Sequence, residues 1–194
     1  MNKFFRIGMI TAICSGWLLY YPYIIFNKTF DAALHLPFHL CSLMEIAVLY
    51  ACLKNNTKVL EIIAYPLVIG PALALSFPTG TFDLGGWHTA YFIYYHALLI
   101  TSGVYIILKK RFSFSRSAIW KAALFIFAGD CVAVWVNMLT GGNYMFIGDP
   151  VVYPAIVYYP LLFVLVWVFL AGFHFLVAGA DAVVRLRQKQ NLAQ

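Results

Sequence analysis

The chain has 194 residues, 63% of them hydrophobic and only 10% charged, with a mean hydropathy of +0.84. That composition excludes an ordinary soluble globular domain and indicates an integral membrane protein. The net charge of +6 comes in short basic runs between apolar stretches, a pattern that suits lipid headgroups and argues against nucleic acid as a partner.

Six apolar segments are each about long enough to cross a bilayer as a helix: residues 7–26, 32–53, 59–77, 88–108, 117–139 and 151–180. They predict an all-α fold, a six-transmembrane-helix bundle forming a single domain over 1–194. The first segment follows Lys3 and Arg6 in signal-peptide order, yet its apolar run continues to Phe26 with no small-residue cleavage site, so it is expected to be a retained span. The second opens on His35-Leu36-Pro37-Phe38-His39-Leu40-Cys41 and carries Glu45. The third has Glu61 near its start, beside inner lysines, where a structural ion pair is expected. The fourth carries His88 and His96, and the fifth carries Asp130 and Asn137. The sixth is long enough to tilt or to kink near Tyr158, Tyr159 and Pro160, and His174 towards its inner end reads as structural.

Cytoplasmic loops retain Lys and Arg. With the N-terminus inside, twelve of the 13 basic residues collect on the inner side and only Lys28 is left outside, so both termini are expected to be cytoplasmic. The outer loops at 78–87 and 140–150 are rich in Gly, Pro, Asn and Asp, residues that build fixed turns. No internal repeat is visible, which argues against inverted-repeat transporter architectures.

Orientation converts sequence into depth, at about 1.5 Å per helical residue. It places His39, Cys41, His96, Asn137, Asn143 and Tyr144 together in the outer half of the bundle. Cys41 and Glu45 are four residues apart and share a helix face, as do His35 and His39, whereas His39 and Cys41 project differently. Pro37 is expected either to kink the helix or to sit in its first turn. His96 is therefore the better partner for Cys41. Polar groups are costly in hydrocarbon, so such a layer is where a function is sought.

The chemistry that follows is nucleophilic acyl transfer. An imidazole takes the thiol proton, the thiolate attacks an ester carbonyl, and a thioester forms. A thiol in apolar surroundings is inert without a base and hydrogen-bond donors. Asn137, Asn143 or Tyr144 are candidate donors to the developing oxyanion, and Glu45 or Asp130 are candidates to orient His39 or His96. Cys14, Cys52 and Cys131 read as packing residues, with no CxxC pair and no disulfide framework. A metal site built on His35 and His39 is a weaker reading, because Pro37 interrupts the pair. No metal or cofactor is called for. Two other functions stay open: a small transporter using Glu45, Asp130 and the histidines as a path, and a non-catalytic lipid- or partner-binding subunit.

The Leu36-Pro37-Phe38-His39-Leu40-Cys41 element, His96, and Asn137 followed by Gly142-Asn143-Tyr144-Met145-Phe146 and Pro150 resemble the YwaF family of bacterial membrane proteins, to which the animal transmembrane-protein-164 acyltransferases are similar. The resemblance runs from about Leu34 to the end of the chain. It implies an enzyme of a bacterial cytoplasmic membrane that moves fatty acyl groups between phospholipid and lysolipid substrates, with Cys41 as nucleophile and His96 as general base. The chain also looks distantly similar to membrane hydrolases of fatty-acid esters of hydroxy fatty acids, so transfer and hydrolysis both remain open.

Overall fold

Asn2 starts the first helix: its side-chain oxygen accepts the Phe4 amide at 2.9 Å, satisfying one of the donors that a first turn leaves unpaired. From there the computed structural model describes residues 1–77, 85–110, 114–147 and 155–192, with helices and no strand among them. In chain order these are α1 (Lys3–Phe26), α2 (Ala32–His35), α3 (Leu40–Leu53), α4 (Thr57–Ile63), α5 (Pro66–Ser76), α6 (Gly86–Lys109), α7 (Ser117–Thr140) and α8 (Ala155–Leu192). A 3-10 turn, Tyr144–Phe146, follows α7. Residues 78–84 of the expected outer loop and 148–154, where the sixth segment was expected to begin, lie outside the described residues.

Among the described residues, four helices are long and apolar enough to cross a membrane: α1, α6, α7 and the Tyr158–Asn191 part of α8. The pair α4 and α5 makes a fifth when taken as one span bent by 49°. The second expected span, 32–53, is not a single helix. Pro37 disfavours helical backbone at the residue before it, and Leu36 is extended at φ −69°, ψ 148°. His39 is extended as well, at φ −69°, ψ 152°. Pro37 thus lies in a break between α2 and α3 rather than inside a kinked helix or its first turn. At 14 residues, α3 reaches roughly 21 Å, short of a hydrocarbon core of about 30 Å.

The bend between α4 and α5 has a local and a tertiary cause. Pro66, at the first position of α5, has no N–H to continue the α4 ladder. Across from it stands Gly103 of α6, where a Cβ would meet Val68 Cγ2 at 2.6 Å and Leu67 Cβ at 2.9 Å. Only glycine lets the α6 backbone lie this close to the start of α5.

The short helix α3 is the centre of the bundle, in contact with α1, α4, α5, α6 and α7. Its Met44, Val48, Ala51 and Cys52 are fully buried against Ile13, Leu60, Leu67 and Leu99. Large apolar side chains on α7 and α8, among them Trp120, Leu124, Trp135, Phe163 and Phe175, are instead exposed, as a surface facing lipid requires. The polar groups of α3 are therefore shielded from hydrocarbon by its neighbours. Elsewhere, Glu61 pairs with Lys110 at 3.0 Å, and buried His174 meets the Tyr65 hydroxyl through Nδ1 at 2.8 Å.

Candidate functional site

The break at residues 36–39 is held by the segment that follows α7. Asn137 grips the backbone of Tyr144 from both sides: its Oδ1 accepts the Tyr144 amide at 2.7 Å, and its Nδ2 donates to the Tyr144 carbonyl at 3.0 Å. The Tyr144 hydroxyl then donates to the Ala32 carbonyl at 2.6 Å and accepts the Leu36 amide at 2.9 Å, tying the segment after α7 to the start of α2 and to the first residue of the break. Burial pushes the Tyr144 phenol above its ordinary pKa, with the Leu36 N–H pulling the other way, so it stays protonated and able to donate. Gly142 allows the close approach, because a Cβ there would sit 2.5 Å from the Ala33 carbonyl oxygen.

His39 belongs to this clamp. Its Nδ1 accepts the Met145 amide at 3.4 Å, and its ring lies 4.8 Å from that of Tyr144. With Nδ1 as acceptor, the neutral ring carries its proton on Nε2, which is thereby a donor. The turn that aims the Met145 amide is strained: Met145 and Phe146 both have left-handed φ, 57° and 58°, at a cost of about 1–3 kcal/mol each. Asn143 starts the same turn, its carbonyl accepting the Phe146 amide at 3.1 Å. Asn137, Gly142 and Asn143 also line an open crevice of about 530 Å³ with Val134, Met138 and Ile147.

Cys41 and Glu45 lie further along α3. Cys41 is half-buried and free, in the first turn of α3, packed on the apolar core. Glu45, one turn on, is only 3% exposed. Its Oε2 accepts the Trp17 indole N–H at 2.9 Å, while Oε1 is buried with no hydrogen-bond partner. From α6 comes Tyr95, within electrostatic range of both Cys41 and Glu45. Its ring packs 4.1 Å from that of His96.

His96 is 1% exposed. Its Nδ1 lies 2.7 Å from the Phe92 carbonyl, an oxygen that only accepts, so Nδ1 carries the proton of the neutral ring and Nε2 keeps its lone pair. The two imidazoles thus hold opposite tautomers, His39 with Nε2–H and His96 with a bare Nε2. No hydrogen bond joins Cys41 to His96. They sit on the adjoining helices α3 and α6.

The eight expected site residues therefore do not form one cluster. Cys41 and Glu45 lie on α3 and His96 on the adjoining α6; His39, Asn137 and Tyr144 build the clamp, with Asn143 at its edge. Asp130 joins neither group and makes no hydrogen bond or ion pair with a described residue, so no chain of hydrogen bonds links it to Glu45 or the histidines. His35 and His39 do not form a ligand pair. The Pro37 break separates them, and His35 lies instead beside His88, their rings 5.8 Å apart, with His88 Nδ1 at 3.1 Å from the Tyr20 hydroxyl. Among the described residues no three His, Cys, Asp or Glu side chains converge as a metal site.

Trp17, Tyr91 and Tyr95 were missed by sequence reasoning. Their positions carried a signal. Tyr91 and Tyr95 are four apart on the helix that bears His96, and Trp17 lies well inside the first apolar run, away from either expected interface.

The profile described as the TMEM164 family matches residues 1–178. No curated protein and no solved structure matches the chain.

Proposed function

This chain belongs to the TMEM164 family, and on that premise we propose that it is a membrane-embedded acyltransferase or lipid-ester hydrolase in which Cys41 is the nucleophile and His96 the general base. The observation that carries the reading is the Nδ1–H of His96 donating to the Phe92 carbonyl, which leaves Nε2 as the proton acceptor facing its surroundings on the helix beside Cys41. In the first half-reaction Nε2 takes the Cys41 proton as Sγ bonds to the carbonyl carbon of a phospholipid ester. Collapse of the tetrahedral intermediate breaks the ester C–O bond, and the leaving alcohol takes the proton back from Nε2. His39, with its proton on Nε2, is the donor available to the oxyanion. Asn137 and Tyr144 act through the clamp that orients His39, with their own polar groups spent on backbone.

The charge bias favours six crossing segments, with α2, the break and α3 forming one of them, both termini cytoplasmic, and the site opening towards the outer leaflet of a bacterial plasma membrane. The test uses purified protein in defined micelles with a phospholipid donor labelled in its acyl chain and a lysolipid acceptor. Transfer or hydrolysis is expected, falling at least about 100-fold in Cys41→Ala and His96→Ala. Equal activity in wild type and both variants would remove Cys41 and His96 from the chemistry.

A further inference from the structure

Glu45 is a costly residue in its setting. A buried carboxyl oxygen without a partner has lost its hydration with nothing in return, and a fold can retain such an atom when a ligand completes it. The Trp17 indole holds Oε2 at 2.9 Å, so the carboxyl is oriented and Oε1 is the free end. Helical side chains lean towards the N-terminus of their helix, which brings the Glu45 carboxyl up to the turn that carries Cys41. Two more unspent polar groups lie within electrostatic range of it. The Tyr91 and Tyr95 hydroxyls, both from half-buried residues within electrostatic range of Glu45, make no hydrogen bond with any described residue, and their rings lie 5.3 Å apart.

The geometry points to Glu45 as the general base of the second half-reaction, binding an O–H nucleophile through Oε1 with the Tyr91 and Tyr95 hydroxyls beside it. This rests on the acyl-enzyme reading above. The nucleophile is the free hydroxyl of an acceptor lipid or a water molecule. Its proton passes to Glu45 Oε1 as its oxygen bonds to the thioester carbon. The C–S bond then breaks, its electron pair goes to Cys41 Sγ, and the thiolate recovers the proton from Glu45 one turn away. The two half-reactions thus use different bases, His96 to load the acyl group and Glu45 to unload it.

The experiment is intact-protein mass spectrometry of wild type, Glu45→Gln and Cys41→Ala after mixing with the labelled phospholipid, alone and with lysolipid. Glutamine keeps an oxygen for the Trp17 N–H and cannot take a proton, so Glu45→Gln is expected to accumulate close to one acyl group per chain on Cys41 while turnover falls at least about 100-fold. An accumulated adduct also reports a folded site. Loss in the lysolipid arm alone assigns the subsite to lipid hydroxyls, and loss of release in both arms assigns it to water as well. Glu45→Gln turning over at the wild-type rate, or failing to acylate while melting at the wild-type temperature, overturns the role of Glu45. If Glu45→Gln does not fold, Trp17→Phe replaces it, with slowed unloading and unchanged loading expected; unchanged unloading there overturns the proposal. Absence of an adduct together with undiminished activity in Cys41→Ala instead counts against the nucleophile itself.

Discussion

Replacing Tyr144 with phenylalanine removes one oxygen that makes two hydrogen bonds, to the Ala32 carbonyl at 2.6 Å and from the Leu36 amide at 2.9 Å. The ring itself is fully buried and phenylalanine fills the same space, so packing is conserved. Ala32 is exposed and its carbonyl finds another partner, which limits that loss to about 1 kcal/mol. Leu36 is not exposed, and its amide is left unpaired at a cost of about 1–3 kcal/mol. The sum, about 2–4 kcal/mol, falls on the break rather than on the bundle, because α3 is held independently by five neighbouring helices. Local opening at residues 36–39 should therefore become roughly 30- to 800-fold more populated. Maleimide labelling of the native protein in micelles, resolved by residue in peptide mass spectrometry, reads this directly: Cys41 should react faster by up to that factor. Cys41 labelling within twofold of wild type, with unfolding unchanged to within about 0.5 kcal/mol, would show that Tyr144 does not hold the break and that the clamp is misread.

Gly142→Ala should disturb the same contact from the other side. Its Cβ meets a backbone oxygen at 2.5 Å, which cannot swing away as a side chain does, so a loss of about 1–3 kcal/mol is expected in thermal unfolding. At the other end of the molecule the expectation is the opposite. The Glu61–Lys110 pair is 3.0 Å long with side chains 30% and 41% exposed, so Glu61→Gln should cost less than about 1 kcal/mol, and the difference should shrink in high salt. A larger, salt-independent loss would mean the pair is shielded by lipid headgroups.

The long spans were legible because a helix in lipid must satisfy its own backbone and show apolar side chains around most of its surface; α1, α6 and α7 follow from hydropathy alone. The Glu61 ion pair was legible for a related reason, since a carboxyl at the end of an apolar segment, beside a basic run, has lysines within reach. The break at Pro37 was only half legible. Proline announces a disturbance, but whether it kinks, caps or interrupts depends on what satisfies the freed groups, and here that is Tyr144, 108 residues from Leu36. Trp17 could not be paired with Glu45 in advance, because nothing local links two residues 28 apart.

The order of residues by itself determined that the chain lives in a membrane, which segments are apolar, and that Cys41 and Glu45 share a face, because helical period and hydrophobicity are local properties. It also set the free nitrogen of His96, whose Nδ1 partner is the carbonyl four residues back on its own helix. The fold alone decided that a helix too short to cross a bilayer by itself is the central one, and that Asn137 and Tyr144 spend their polar groups on backbone while Glu45 keeps one oxygen unspent. Those are questions of which atoms meet across helices. They are settled by packing, where a single close contact such as Gly103 on Val68 sets the position of everything stacked on it.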